Sequence, residues 1–443
     1  MTLDMAVPRA PFDMLPTEII REILTYLNHR ELLRTSAVAR LLHVLCKDPN
    51  QWRRLCEQNG LIVKLRLGVY TCPKLIRPET TIPTSLSQHS PNPVRCNWYQ
   101  HFKHTWKLSQ NWQTLRCRKF QLPRSAYAHE GHTDDIYALQ TQGKYLVSGS
   151  LDKTIRIWDL DTHRLASEPL RGHQEEVICL QFDAHRDTNA IVSGGSRGEL
   201  ISWRFSPPGM LRRIVKAHDG SITGLKFDRT LLVTASVDTK IKVWSLSTIR
   251  LKALEQISSD TIAPLNVLTG HDGPINAIDF SGDTIVSGAA DGTMKIWSIE
   301  HGVCLKSVEE PRSIACVYFN ERTIISGGRN NSITIYDRHL RAWAFLPHNA
   351  MVRTVTAMLD VSSTGIIITG DQDGSILVWR SAGHGQWRSV RFDPIIQSAT
   401  WNANTSTGHS LLTQRRRILS LHSDGQRLAC CPESSNIVGW DFT

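Results

Sequence analysis

The sequence contains no run of 18 uncharged apolar residues, and its first residues lack the basic, apolar and small-residue succession of an export signal. Neither a membrane span nor secretion is expected on those grounds, and the cytoplasm, the nucleus or both are the expected location. Its ten cysteines include no Cys-x2-Cys pair and no His-x3-His partner, so no zinc site is expected, and the thiols are expected to be reduced and mostly buried. Acidic residues are scarce in one stretch: residues 59–130 carry 11 basic side chains and two acidic ones. Residues 1–130 hold 19 basic and 9 acidic side chains, which leaves 32 of the 51 basic and 32 of the 41 acidic groups to residues 131–443. The net charge of +10 therefore belongs to the N-terminal part, and a nucleic-acid groove over the formally neutral remainder is not expected. With 443 residues, 41% hydrophobic and 21% charged, what is left is a folded chain with more than one core.

From residue 131 onward one phrase recurs: Gly-His, an alternating apolar run, a small-residue strand, a turn with Asp, and a second alternating run ending in Trp. The copies end at Trp158, Trp203, Trp244, Trp297, Tyr336 in a Trp slot, Trp379 and Trp440. Successive slots lie 45, 41, 53, 39, 43 and 61 residues apart, and each interval holds period-2 alternation broken by turn residues. Seven small antiparallel sheets in series predict a seven-bladed propeller. These residues resemble the WD-repeat family over about 310 residues. Trp440 leaves little sequence for a further strand, so residues 115–127 are expected to supply the outer strand of the last blade.

A His before each blade, a Ser or Thr on its second strand, an Asp in the next turn and the Trp are spaced to chain hydrogen bonds. Four blades show complete sets: His132, Ser148, Asp152, Trp158; His218, Thr234, Asp238, Trp244; His271, Ser287, Asp291, Trp297; and His348, Thr369, Asp373, Trp379. Blade 2 keeps His173 and Trp203 with Arg197 in the Asp slot, blade 5 offers Asn330 and Tyr336, and blade 7 has His409 and Ser434. Four near-identical Ser/His/Asp sets argue for a repeated structural device and against a single activated serine, so no catalytic residue is expected. The glycines of 193–198 lead from one strand into another and make no phosphate-binding loop, and no cofactor motif is found.

The N-terminal part reads as helical. LPTEIIREILTYL sets Ile19, Ile20, Ile23, Leu24 and Leu27 on one stripe, RELLRTSAVARLLHVL continues it, and Trp52 and Leu55 mark a third short helix. The phrase from Leu15-Pro16 to the Asp-Pro-x-x-Trp step resembles the F-box, the module through which substrate receptors dock onto the Skp-type adaptor of cullin–RING ubiquitin ligases. The resemblance places Leu15, Pro16, Ile20, Ile23, Leu27, Leu32 and Val38 in or beside the adaptor interface. One departure is that Ala39, Leu41, Leu42 and His43 stand where many members carry a Cys and a large aromatic.

The expected organisation is a disordered 1–10, an F-box over 11–58, a linker over 59–113, and an all-β propeller over 114–443. Within the linker, five prolines mark a mobile loop at 71–93, and Trp98, Phe102 and Trp106 at i, i+4, i+8 mark a helix over 94–112 that packs an aromatic face on a neighbour. The resemblance implies a non-catalytic substrate receptor. Its F-box would hold the adaptor, and through it a cullin and a RING subunit, while the propeller presents a protein degron. The alternative is a WD-repeat scaffold that uses the F-box for assembly without ubiquitination. In phosphate-reading members, arginines stand one residue after the first apolar position of the strand following Gly-His, or just before the turn Asp, at the mouth of the central channel. Here the first holds Tyr137, Ile178, Thr223, Asn276, Ala315 and Arg353, and the second Leu151, Ser196, Val237, Ala290, Arg329, Gln372 and Glu433. Arg329 and Arg353, with Tyr137, are thus the expected substrate-binding residues, for an acidic or phosphorylated degron.

Overall fold

The structure, a computed structural model, describes residues 17–38, 40–58, 98–185, 187–250, 262–320, 323–337, 339–358, 365–381, 386–392 and 416–443. The chain forms two compact units that divide between Arg116 and Cys117.

In the first unit, α1 (Thr17–Thr25), α2 (His29–Ser36), α3 (Arg40–Leu45) and α4 (Pro49–Gln58) are short helices, joined by α5 (Trp98–Thr114). Asn28 starts α2 with a reciprocal cap. Its Oδ1 accepts from the amides of Arg30 and Glu31 at 2.9 and 3.1 Å, and its own amide donates to Glu31 Oε2 at 2.9 Å. Helices this short are not stable alone and depend on a shared core. Ile20, Leu24, Leu32, Leu42, Leu45, Trp52 and Leu55 supply it. The expected aromatic helix completes that core: Trp52 lies 4.8 Å from Tyr99 and 5.2 Å from Phe102, while its Nε1 donates to the Cys46 carbonyl at 2.6 Å. The neighbour foreseen for the aromatic face is thus the F-box region itself. The expected loop at 71–93 and the first ten residues lie outside the described residues.

The second unit is a ring of seven antiparallel sheets. Blade 1 begins with Ile136–Gln142, and the next five with Val177–Asp183, Ile222–Phe227, Ile275–Ser281, Ile314–Phe319 and Val352–Met358. Blade 7 consists of Ile418–Ser423, Arg427–Pro432, Ile437–Asp441 and, as its outer strand, Arg118–Leu122. The register runs from Arg118 opposite Asp441 to Leu122 opposite Ile437, so the segment expected to close the ring does so. Blades 7 and 1 are also tied by the amides of Thr141 and Gly143, which donate to His422 Nδ1 at 3.2 Å and Asp424 Oδ2 at 3.0 Å. Alternation of apolar residues on both faces of each sheet fills the layers between blades.

Candidate protein-interaction sites

The polar sets lie inside the blades. In blade 1, Trp158 Nε1 donates to Ser148 Oγ at 2.9 Å, Ser148 Oγ lies 2.8 Å from His132 Nε2, and His132 Nδ1 lies 2.8 Å from Asp152 Oδ2. This sequence of contacts puts the imidazole proton on Nδ1 and gives every member a partner. Blades 3 and 4 repeat it through His218, Thr234, Asp238 and Trp244, and through His271, Ser287, Asp291 and Trp297. Ser148, Thr234 and Ser287 are fully buried, so their hydroxyls have no access to a substrate. Burial disfavours the cation and lowers the pKa of His132 and His271.

One expected acceptor is replaced by another residue, and one is not replaced. In blade 2 the carboxylate comes from Glu199. Its Oε1 lies 2.7 Å from His173 Nδ1 and accepts the Gln174 amide at 3.1 Å, and Oε2 accepts from Arg213 Nη2 at 2.7 Å. Arg197 points outward to Glu175 at 3.0 Å. The longer Glu side chain reaches the histidine from two residues further on because Gly195 leaves the space. A Cβ there would lie 2.8 Å from Glu199 Cγ and 3.1 Å from His173 Nδ1. In blade 6 Asp373 is exposed and Asp371 comes only to 3.9 Å from His348 Nδ1, too far for a hydrogen bond, so that buried nitrogen has no hydrogen-bond partner among the described residues. Asp371 ends the strand where the sets of blades 1 and 3 have Ser150 and Ser236, so its carboxylate sits below the turn and accepts the amides of Asp373 and Ser375.

Blade 5 reverses the polarity. Glu310 replaces histidine and accepts from Ser326 Oγ, from Tyr336 OH at 2.7 Å and from Asn330 Nδ2 at 2.8 Å. The sequence reading named Asn330 and Tyr336 but missed Glu310; two donors left without a histidine are the signal for an acceptor. In blade 7, Cys430 stands at the Ser/Thr position, two residues after the partner of Trp440, and His409 lies outside the described residues.

The rim positions have a structural origin. Every innermost strand carries a β-bulge after its first residue, and the residues it displaces are Tyr137, Ile178, Thr223, Asn276, Ala315, Arg353 and Leu419. A bulge turns one side chain away from the ladder. The second position is fixed beside it: Leu151, Ser196, Val237, Ala290, Arg329, Gln372 and Glu433 each donate their amide to the carbonyl of the residue that precedes the innermost strand, at 2.8–3.1 Å. Tyr137, Arg329 and Arg353 therefore share one rim, with the arginines on adjacent blades 5 and 6. Among the described residues, neither arginine has an ion pair.

The helical unit separates the seven expected adaptor residues. Ile20 and Leu32 are fully buried in its core and Leu27 packs against it, so these three support the module from within. Ile23 and Val38 are exposed, Val38 at 76% in the break between α2 and α3. Leu15 and Pro16 lie outside the described residues. Ile19, Tyr26, Leu33 and Val44 are also exposed, and none of them was among the expected adaptor residues. The single stripe read over residues 19–27 divides into an inward set at 20, 24 and 27 and an outward set at 19 and 23, to which the exposed Tyr26 adds.

Among the described residues, Asp283, Glu300 and His301 bring ligand-type atoms within 4.8 Å of one another, all exposed. Asp283 is already engaged there by Ser298 Oγ at 2.7 Å and the Glu300 amide at 2.6 Å. No helix of the described residues is long and apolar enough to cross a membrane.

A family model for the F-box-like domain matches residues 12–58, and the model for the WD domain, G-beta repeat, matches 124–159, 209–245 and 262–298. This is an F-box/WD-repeat protein. The chain is 23% identical over 259 residues to a p21-activated protein kinase-interacting protein 1-like protein of Danio rerio, covering 57% of this F-box/WD-repeat chain and 65% of the relative. It is 24% identical over 262 residues to the nuclear distribution protein nudF of Aspergillus niger, covering 50% of this chain and 56% of the relative. It is also 24% identical over 266 residues to a ribosome biogenesis protein WDR12 homolog of Drosophila virilis, covering 56% and 62%. The F-box/WD-repeat chain thus spans less than two thirds of each of these relatives. A protein-interaction role follows from the two modules, and no enzyme family is indicated.

Proposed function

We propose that this F-box/WD-repeat protein is the substrate-recognition subunit of a cullin–RING ubiquitin ligase, with no chemistry of its own. The helical unit would hold a Skp-type adaptor, and through it the cullin and RING subunit, while the propeller rim holds an acidic or phosphorylated degron. Such a receptor works in the cytoplasm or nucleus. Its contribution to the rate is the raised effective concentration of target lysines near the conjugating enzyme.

The observation that carries the reading is the number of exposed apolar residues on a module matched as F-box-like: Ile19, Ile23, Tyr26, Leu33, Val38 and Val44 are all exposed on a unit whose core is already filled. Solvent-facing apolar residues gathered on so small a unit mark a docking surface. The test is capture of purified adaptor and cullin by the full chain. Tyr26→Ala with Val38→Asp should reduce adaptor capture about a hundredfold, with the thermal midpoint unchanged. Undiminished capture overturns the reading. Adaptor recovered in full without cullin favours the scaffold alternative, which the names of the relatives also allow.

A further inference from the structure

The outer strands of the propeller are exposed edges, and an unguarded edge is a template for another strand. Most are guarded. Blade 1 ends in two fragments of two residues each, blade 3 has only Asn266–Leu268, and the outer strands of blades 2, 6 and 7 each carry two basic residues. The outer strand of blade 5, Ala342–Pro347, reads AWAFLP: six residues without a charge. Among the described residues it pairs on one side only, with Ser332–Asp337, and no strand occupies its other backbone edge.

Its side chains differ by face. Ala344 and Leu346 are buried in the layer shared with blade 6, which puts Phe345 between them on the opposite face, toward blade 4, where it is 67% exposed. Trp343 is the extra residue of a β-bulge, 41% exposed, with its ring centroid 6.5 Å from that of Trp387 on blade 6. The outer strand of the neighbouring blade on that side, blade 4, is Val303–Glu309. Val308 packs on the layer between blades 4 and 5, so Lys306, two residues away on the same strand, lies on the face turned toward blade 5. Among the described residues Lys306 has no ion pair.

We propose that this edge is a docking site for an extended acidic segment of a partner protein, which adds a fifth strand along Ala342–Pro347. The free backbone edge supplies the ladder, Phe345 and Trp343 receive apolar side chains on either face, and Lys306 receives a carboxylate. Charge selects this occupant over a second copy, whose own edge has no acidic residue to offer Lys306.

The probe is a fluorescent peptide of alternating valine and glutamate, compared with its lysine counterpart and with a form N-methylated at every second amide, titrated against the full chain by anisotropy. The glutamate peptide should bind at least about tenfold more tightly than the lysine one, and N-methylation should abolish binding. Binding should be lost in the exposed Trp343→Lys, Phe345→Lys variant, whose thermal midpoint should match the parent, and Lys306→Glu should reverse the charge preference. Equal affinity for all three peptides, or no binding at about millimolar peptide, overturns the proposal. A concentration-dependent dimer abolished by the double variant assigns the edge to a second copy and equally overturns it.

Discussion

Replacing Glu199 by alanine tests the polar sets most sharply, because it separates the position the repeat points to from the position the fold uses. The carboxylate serves three donors: His173 Nδ1, the Gln174 amide and Arg213. Removing it strands a buried imidazole N–H, at a cost of about 1–3 kcal/mol. The Gln174 amide adds a fraction of that, and the partly exposed Arg213 pair at most ~1 kcal/mol. A total of about 2–4 kcal/mol lowers the thermal midpoint of the propeller by several degrees. Arg197→Ala removes only an exposed pair with Glu175 and should cost under ~0.5 kcal/mol. Gly195→Ala, which drives a methyl against Glu199 Cγ and His173, should destabilise in the same direction as Glu199→Ala. The assay is thermal and urea unfolding of the full chain, followed by tryptophan fluorescence. Equal shifts for Glu199→Ala and Arg197→Ala refute the assignment.

Blade 6 makes the parallel prediction: Asp371→Ala should cost about 1–3 kcal/mol in urea unfolding and Asp373→Ala under ~0.5, and the reverse order refutes the placement of Asp371. At the rim, Arg329→Glu with Arg353→Glu should weaken capture of an acidic or phosphorylated substrate at least about tenfold without moving the thermal midpoint, and unchanged capture shifts attention to Tyr137. Stability should fall with acid in two stages. Below about pH 6.5 the unfolded chain protonates histidines that burial keeps neutral at His132 and His271, so it binds more protons than the folded one. Glu199 is held down to about 2, because burial, which opposes ionisation, is outweighed by hydrogen bonds from His173 and Arg213; Asp291 is likewise at about 2 through Thr293 and His271. The stability these carboxylates contribute is present above the ordinary carboxylate value of about 4 and is lost as pH falls toward 2. Urea midpoints that stay level from pH 7 to about 3 contradict both stages.

The period of the repeat was enough to read the number of blades, because a phrase of alternating residues with fixed turn signals is a local code, and seven copies state it seven times. The sets of blades 1, 3 and 4 were legible for the same reason, since their members stand at constant separations within one blade. Glu199, Asp371 and Glu310 were not. Glu199 and Glu310 fill their sites from unexpected places in the chain, Asp371 stops short of His348, and whether a carboxylate reaches a histidine depends on side-chain length and on room such as Gly195 leaves. The bulges that aim Tyr137 and Arg353 at the rim are visible only when two strands are laid in register. Over residues 19–27 the apolar stripe was legible, but its division into Ile20, Leu24 and Leu27 inside and Ile19 and Ile23 outside was set by the core that α2–α5 complete, up to some 80 residues further on. Sequence carries the period of a face. Only packing against another element decides which side of it is buried.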